Sequence, residues 1–162
     1  MTFSVTPIAA GFLQRVRTTG RDDLNQPVRQ LRASGGEPCR DTLRRARPGE
    51  RLLLASYCPF QHAGPYREYG AVYVLAEPSA LHGAPPGLDV QGGPDDYWKR
   101  DAPLALRAYS AAEDIVAAQL LRPASLAAAA ADYFARDDID FALVRFAAYG
   151  CYALRLDRTT EQ

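Results

Sequence analysis

The sequence predicts a single α+β domain over residues 1–162, with a mainly antiparallel or mixed sheet and one long helix packed on it. Three observations support this class. Short β-type segments follow one another across tight turn signals, as strands do in hairpins. One segment, at about residues 123–136, has the apolar spacing of a long helix, whereas a parallel sheet would need several crossover helices. A length of 162 residues is typical of one domain.

The first third of the chain predicts two strands. Phe3 and Val5 alternate with polar neighbours, as in a half-buried strand, and residues 8–13 are apolar enough for a short helical turn. Residues 22–27 have the composition of a loop, because Asp, Asn and Pro favour turns. Residues 28–33 then form the second predicted strand, which two glycines follow.

A type II turn at Pro48-Gly49 is predicted to introduce a central strand. Proline presets φ at the second turn position, and glycine accepts the positive φ of the third. Residues 51–57 contain a short, continuous apolar run, which is typical of a strand buried on both faces. Residues 71–75 have high β propensity, and we expect them to pair with that strand.

Residues 77–103 predict a long loop. This segment contains five prolines and four glycines in 27 residues, a density that excludes regular structure over most of it. Such a loop in a compact domain is typically a lid, a binding loop or a disordered excursion. Asp95 to Trp98 could form one helical turn, with Tyr97 or Trp98 anchoring the loop on the body of the domain. The alternative is a tryptophan that stacks on a ligand.

The last third predicts two antiparallel hairpins. Residues 104–109 alternate in polarity and are followed, after a polar break, by the apolar residues 115–121. Residues 141–146 and 151–156 flank a short turn segment, so we expect Gly150 at or near the turn of the second hairpin.

The one long helix is expected between these hairpins. Leu126, Ala130, Tyr133 and Phe134 recur at helical spacing within an alanine-rich run, which places them on one face of an amphipathic helix from about 123 to 136.

Charge is balanced overall but unevenly distributed. Residues 1–55 contain ten arginines and five acids, and residues 56–162 contain nine bases and fourteen acids. A nucleic-acid reader would combine its basic cluster with stacking aromatics or a recognised motif, and neither accompanies this one. We therefore interpret the cluster as a solvated edge and expect no nucleic-acid partner. Its members are Arg40, Arg44, Arg45, Arg47 and Arg51.

Cysteine and histidine usage indicates a cytoplasmic protein without a metal site. The odd, widely spaced set Cys39, Cys58 and Cys151 does not fit a disulfide framework, and reduced thiols fit a cytoplasm. His62 and His82 form no zinc spacing with them. The first residues predict neither a signal nor a transit peptide, and no apolar run approaches the roughly 18 residues that span a bilayer. We predict no cofactor and no membrane association.

A set of short motifs stands in a specific order along the chain: Pro38-Cys39-Arg40, Pro48-Gly49-Glu50, Leu52 to Tyr57, Pro65-Tyr66-Arg67, Leu106-Arg107-Ala108-Tyr109, Gly150-Cys151-Tyr152 and Leu156-Asp157-Arg158. Together, from about Phe3 to Arg158, they resemble the DUF1203 family, small bacterial proteins of unknown function. The resemblance implies no activity. In that family the segment before Gly-Cys-Tyr tends to carry histidine or arginine and then asparagine, whereas this chain has Arg145 and Phe146. A polar site on this segment would retain only Arg145.

Cys39 is the candidate nucleophile, because the neighbouring Arg40 would stabilise a thiolate. It lacks a general base, since neither His62 nor His82 is tied to it by sequence, although His62 could converge on the Tyr66-Arg67 pair. The alternative is structural, since a buried cysteine behaves as a small hydrophobe.

An arginine and tyrosine clamp is the candidate ligand site. Arg67 and Tyr66 would supply a guanidinium fork and a hydroxyl donor, with Arg40, Arg145 and Tyr152 as further ligand-binding candidates. The alternative is again structural, because Pro-Tyr-Arg is a common entry from a loop into a strand.

Two classes of function stay open. The first is a domain that binds a small anionic molecule beneath the 77–103 loop, with or without catalysis. The second is a non-catalytic protein interaction module or homodimer.

Overall fold

The computed structural model describes residues 3–79, 88, 97–99 and 102–159. It consists mostly of sheet, with two short helices. In chain order the elements are β1 (Phe3–Thr6), α1 (Ala10–Thr19), β2 (Arg29–Arg32), β3 (Pro38–Cys39), β4 (Arg44–Arg45), β5 (Arg51–Tyr57), β6 (Gly70–Leu75), β7 (Leu104–Tyr109), β8 (Ile115–Leu121), a 3₁₀ turn (Pro123–Ser125), α2 (Leu126–Phe134), β9 (Phe141–Phe146) and β10 (Cys151–Arg158).

The strands form two five-stranded sheets. The first sheet has the order β1-β10-β9-β7-β8, and all of its pairs are antiparallel. The second sheet has the order β2-β5-β6-β3-β4 and is mixed, because β3 runs parallel to β6. Two sheets with two short helices agree with the predicted α+β class and with the predicted antiparallel or mixed sheet.

Most predicted strands and turns are confirmed. The hairpins β5–β6, β7–β8 and β9–β10 pair as expected. At the predicted turn, the Glu50 N–H donates to the Arg47 carbonyl at 3.2 Å, and Gly49 has φ +86°. Gly150, with φ +70°, lies at the turn before β10. Local β propensity, polarity alternation and turn residues were therefore sufficient to predict these pairs.

The prediction of one long helix at 123–136 is wrong. Proline opens this segment with a 3₁₀ turn, and α2 itself has only nine residues. The buried face is the predicted one, with Leu126, Ala130 and Phe134 in the core. Arg136 N–H then bonds the Tyr133 carbonyl at 3.0 Å, which tightens the last turn and ends the helix. The apolar spacing thus identified the face but overestimated the length.

The first helix is longer than the turn expected at 8–13. Helix α1 buries Phe12 and Val16, four residues apart, and ends at Gly20, whose φ of +65° is typical of a helix C-terminus. Only one narrow face is apolar, so the mostly polar sequence did not indicate ten helical residues. The predicted segment therefore covers only the beginning of this helix.

The first sheet is the middle layer of the fold. One face packs against α2 together with Tyr97 and Trp98. The other face packs against α1 and the second sheet, where Phe141 and Leu143 share a core with Val72. Most of the predicted 77–103 loop, including Asp95 and Asp96, lies outside the described residues. No helix in the part that is described is long and apolar enough to cross a membrane.

Tyr97 and Trp98 anchor their segment on the first sheet, as one of the two interpretations predicted. Tyr97 is 0% exposed and Trp98 1%. Their rings contact each other and Phe146, with centroids 4.8–5.7 Å apart. The Tyr97 hydroxyl donates to the Ala153 carbonyl at 2.6 Å, and burial raises the pKa of that hydroxyl far above its ordinary value. Both side chains therefore belong to the core.

Candidate functional site

A cleft of about 830 Å³ opens at the seam between the two sheets. Its walls are the segment around β3 and the beginning of β6 on the second sheet, and the β9–β10 turn on the first. Residues that follow Trp98 complete the rim. The charged side chains of the lining are Glu37, Arg40, Arg45, Glu68, Lys99 and Arg145.

The glycine-rich entry to β3 forms one wall and is held by an acidic side chain. The Glu37 carboxylate accepts hydrogen bonds from the backbone N–H groups of Ser34 at 2.7 Å and Gly35 at 3.0 Å. Burial raises the pKa of Glu37, but these backbone donors outweigh burial, so the pKa lies below its ordinary value. Glu37 thus stays ionised while it shapes the wall.

Arg40 joins the two sheets. Its side chain is buried, with the residue only 1% exposed. The guanidinium Nε donates to the Tyr152 carbonyl at 2.8 Å, Nη1 donates to the Pro38 carbonyl at 2.7 Å, and Nη2 lies 3.2 Å from the Cys151 sulfur. Within the described part of the chain, no carboxylate forms an ion pair with it.

A β-bulge in β10 explains the acceptors that meet this arginine. The register against β9 shifts between Tyr152 and Leu154, which disturbs the regular ladder. There the Tyr152 carbonyl accepts from Arg40, and the next carbonyl, that of Ala153, accepts from the Tyr97 hydroxyl. Two side chains from distant segments thus bond backbone acceptors at the bulge.

Arg145 is the second buried guanidinium of the cleft, with the residue 5% exposed. Its Nη1 donates to the Gly150 carbonyl at 3.0 Å, and its Nη2 pairs with the Glu68 carboxylate. The same carboxylate oxygen lies 3.5 Å from Nη1 of Arg107. Among the described residues, the buried Nε of Arg145 has no hydrogen-bond acceptor. The guanidinium of this lining residue therefore has one donor that the described residues leave unused.

Phe146 gives two arginines of the cleft an aromatic contact. The guanidinium carbons of Arg40 and Arg45 lie 5.5 and 5.3 Å from its ring centroid. Arg45 also donates to the Tyr97 carbonyl at 3.0 Å and the Gly36 carbonyl at 2.8 Å. At the position where the family resemblance implies asparagine, this chain thus stabilises its arginines by cation–π contact.

The guanidinium of Arg40 bonds groups other than the thiol of Cys39. Cys39 is fully buried, and its thiol is 3.7 Å from the Glu37 carbonyl. Burial, and then the charge of Asp41, raises the pKa of Cys39 to about 12. A thiol with this pKa is protonated at neutral pH, which favours the structural interpretation. The thiol that contacts Arg40 belongs to Cys151, and both thiols are free.

Alkylation rates should separate these two thiols. Cys39 is fully buried whereas Cys151 is partly exposed, and the raised pKa of Cys39 lowers its thiolate fraction further, so iodoacetamide should modify Cys151 first. Rates for each peptide can be measured by mass spectrometry. The chain unfolded in denaturant, where every cysteine should react, serves as the control. Equal rates for Cys39 and Cys151 in the folded protein would contradict this assignment.

The predicted Tyr66-Arg67 clamp does not face the cleft as a unit. Arg67 Nη1 donates to the His62 carbonyl at 3.0 Å, and its guanidinium lies 5.7 Å from the ring of Tyr69. Tyr69 and Glu68 line the cleft, whereas Tyr66 is 42% exposed and is not among the lining residues that the structure describes. Arg67 therefore braces the loop that presents Glu68 and Tyr69.

Tyr152 contributes its backbone to this region and its side chain to the core. Its hydroxyl donates to the Pro7 carbonyl at 2.9 Å, and its ring packs edge-on against Tyr57. Burial holds the pKa of Tyr152 well above its ordinary value. The side chain thus secures β10 against the N-terminal segment.

Sequence reasoning missed four charged lining residues, Glu37, Arg45, Glu68 and Lys99. Arg45 was included in a basic cluster interpreted as a solvated edge, yet it bonds backbone carbonyls beside the cleft. Glu68 directly follows the proposed Tyr66-Arg67 clamp. Because side chains alternate along an extended segment, the sequence could have predicted that Glu68 and Arg67 point in different directions.

A protein-family model with the description "Protein of unknown function (DUF1203)" matches residues 36–158. No curated protein and no solved structure matches the chain.

Proposed function

The chain belongs to the DUF1203 family of proteins of unknown function, and we propose that it binds a small organic anion in the cleft between its two sheets. The observation that carries this proposal is the excess of buried positive charge. Two guanidinium groups, those of Arg40 and Arg145, are at least nine-tenths buried in the lining, and Glu68 is the one carboxylate of the described residues that pairs with either.

Burial makes this imbalance significant. An isolated buried charge is costly, so proteins normally pair it with an opposite charge or place it at a functional site. For the buried Arg40 and Arg145, the described lining supplies one paired carboxylate, that of Glu68. Glu68 is moreover shared with Arg107, whose guanidinium lies 3.5 Å from it. A bound anion would complete the charge balance.

The donor geometry favours an oxyanion. Guanidinium groups present planar donors that match carboxylate and phosphate oxygens. The Nε of Arg145 has no acceptor among the described residues, so a ligand oxygen that reached it would break no existing bond. An oxygen of a carboxylate or phosphate is the ligand group that fits.

The remainder of the lining favours an organic ligand over a bare ion. Leu54, Tyr73 and Phe146 contribute apolar surface beside the charged groups. The volume of about 830 Å³ is also within the roughly 300–1,000 Å³ typical of small-molecule sites. Of the predicted ligand residues, Arg40 and Arg145 line the cleft and carry this proposal. Arg67 contributes indirectly, because it braces the loop that presents Tyr69 to the cleft.

The test is ligand binding by the wild-type chain and by Arg145→Gln. Thermal shift and calorimetry would use inorganic phosphate, small carboxylates and phosphate monoesters as probes, each at constant ionic strength against chloride. We expect at least one probe to raise the melting temperature, and Arg145→Gln to weaken its binding about 10- to 100-fold, the loss of one charged hydrogen bond.

Arg136→Gln is the matched control, because Arg136 is an exposed arginine paired with Asp138 outside the cleft. This variant should bind like the wild type. The proposal fails if no anion stabilises the chain beyond chloride, or if Arg136→Gln loses as much affinity as Arg145→Gln.

Binding is proposed here without a reaction. Cys151 is the cysteine of the described lining, and its sulfur accepts a hydrogen bond from Arg40. The described lining contains no histidine that could act as its general base, and no histidine is adjacent to Cys151 in the sequence. A reducing, cytoplasmic location is part of the proposal, since Cys39, Cys58 and Cys151 are all free.

A further inference from the structure

Two exposed tyrosines line the cleft, one on each of its two sheets. Tyr69 directly precedes β6 on the second sheet, and Tyr149 lies in the β9–β10 turn of the first. Tyr69 is 41% exposed and Tyr149 is 90% exposed. Single exposed apolar residues are common on proteins, but these two share one cleft with Tyr73 and Phe146. Four aromatic side chains of the described lining therefore border the same space.

The ring of Tyr69 is held in place by its own segment. The Arg67 Nε donates to the Tyr69 hydroxyl at 3.3 Å, and the guanidinium carbon lies 5.7 Å from the ring centroid. Arg67 is itself bonded to the His62 carbonyl at 3.0 Å. A side chain that is ordered in advance loses less conformational entropy when a ligand binds. Tyr69 therefore offers an ordered aromatic surface at the cleft wall.

The turn that carries Tyr149 is tied to the guanidinium of Arg145. The Gly150 N–H donates to the Phe146 carbonyl at 2.7 Å, which closes the turn. The Gly150 carbonyl accepts from Nη1 of Arg145 at 3.0 Å. The backbone next to Tyr149 is therefore fixed, whereas its side chain is left 90% exposed.

Arg145 brings the charged and the aromatic parts of the cleft together. It bonds Gly150 and Glu68, and each of these residues is adjacent in sequence to one of the two tyrosines. Consecutive Cα atoms lie about 3.8 Å apart, so both tyrosines begin close to a residue that Arg145 bonds. A ligand whose oxyanion contacts Arg145 would therefore carry its organic part beside these two rings.

We propose that the ligand of this cleft is an aromatic anion, in which a planar ring lies within a few bonds of a carboxylate or phosphate. This inference rests on the proposed function, because that function assigns the oxyanion to the arginines. The ring packs against Tyr149 and Tyr69, and aromatic pairs gain stability beyond the area that they bury. An aliphatic anion of the same size lacks this gain.

The test compares matched probes by calorimetry at constant ionic strength. Benzoate and cyclohexanecarboxylate have the same number of carbon atoms and the same charge, but only benzoate has an aromatic ring. Phenyl phosphate and cyclohexyl phosphate form the second pair, which distinguishes a phosphate from a carboxylate as the anionic group. In at least one pair the aromatic member should bind about 3- to 10-fold more tightly. Burial of apolar area alone would not produce this preference, because the aromatic ring has the smaller apolar surface.

Variants show whether the two tyrosine rings cause the preference. Tyr149→Leu and Tyr69→Leu should each reduce it, and Tyr149→Phe should keep it, because phenylalanine retains the ring. Both tyrosines are exposed, so these variants should fold like the wild type. Tyr66→Leu is the matched control, since Tyr66 is 42% exposed and does not belong to the described lining. This control should leave the preference unchanged.

The outcomes separate this inference from the proposed function. Equal affinities within both pairs, with binding that Arg145→Gln still weakens, would overturn the aromatic ligand and leave anion binding intact. A preference that survives both Tyr149→Leu and Tyr69→Leu would also overturn it. If none of the four probes binds more tightly than chloride, and no other anion does, both proposals fail together.

Discussion

Replacing Arg40 with methionine is expected to lower the free energy of unfolding by about 3 kcal/mol. The substitution removes the donors that bond the carbonyls of Tyr152 and Pro38 at 2.8 and 2.7 Å. Each buried carbonyl left without a donor costs roughly 1–3 kcal/mol, and relief from burying the guanidinium charge offsets part of this sum. Denaturant unfolding of the variant and the wild type measures the difference.

Two comparisons show whether the loss comes from the tie between the sheets. Arg40→Lys keeps the charge but has a single nitrogen, so it should recover only part of the stability. Arg136→Met removes an exposed arginine and should change stability by less than about 1 kcal/mol. If Arg40→Met unfolded at the same denaturant concentration as Arg136→Met, Arg40 would not hold the sheets together.

Replacing Trp98 with alanine is expected to cost about 3–5 kcal/mol, as for other large aromatic residues removed from a core. Its side chain is 1% exposed and packs against Tyr97 and Phe146. The loss should also loosen the adjacent rim of the cleft, which includes Lys99. Thermal unfolding measures the first effect, and binding of the anion identified for the wild type measures the second.

Trp98→Phe separates volume from hydrogen bonding. The indole Nε1 is buried without an acceptor among the described residues, so losing this group removes no bond. Phenylalanine should therefore retain most of the stability that alanine loses. A Trp98→Ala variant with wild-type stability would contradict the anchoring role, and equal losses for Ala and Phe would contradict the volume argument.

These two predictions concern one structural unit. Arg40 and Tyr97 bond adjacent carbonyls at the β10 bulge, and Phe146 contacts Arg40, Tyr97 and Trp98. The stability of the seam and the shape of the cleft therefore depend on the same side chains. A ligand that engages these arginines should raise stability by mass action, in line with the proposed function.

Prediction of the fold succeeded where contacts are local. The β7–β8 and β9–β10 hairpins join neighbouring segments, and their turn residues and alternation are visible in the sequence. Strands β3 and β4 have two residues each and were not predicted, since so short a segment carries no periodic signal. The parallel pairing of β3 with β6 makes the second sheet mixed. Local sequence patterns could not predict it either, because it joins residues that are far apart in the chain.

Prediction of the site succeeded for individual residues and not for their partners. Arg40 and Arg145 do line one cleft, but Cys39 does not join them. Arg40 directly follows β3 and its guanidinium reaches across to the first sheet, so the thiol that it contacts is not that of its neighbour in sequence. The sulfur that Arg40 contacts belongs to Cys151, on the other sheet.

The sequence by itself determined the α+β class, the hairpins and the arginines available for a site, because periodicity and turn chemistry act over a few residues. Only the tertiary structure decided which arginines share a cleft and which cysteine they meet. The bond from Arg40 to the Tyr152 carbonyl joins residues 112 positions apart. Its existence depends on how the two sheets pack and on a bulge in β10, and no local pattern encodes either feature.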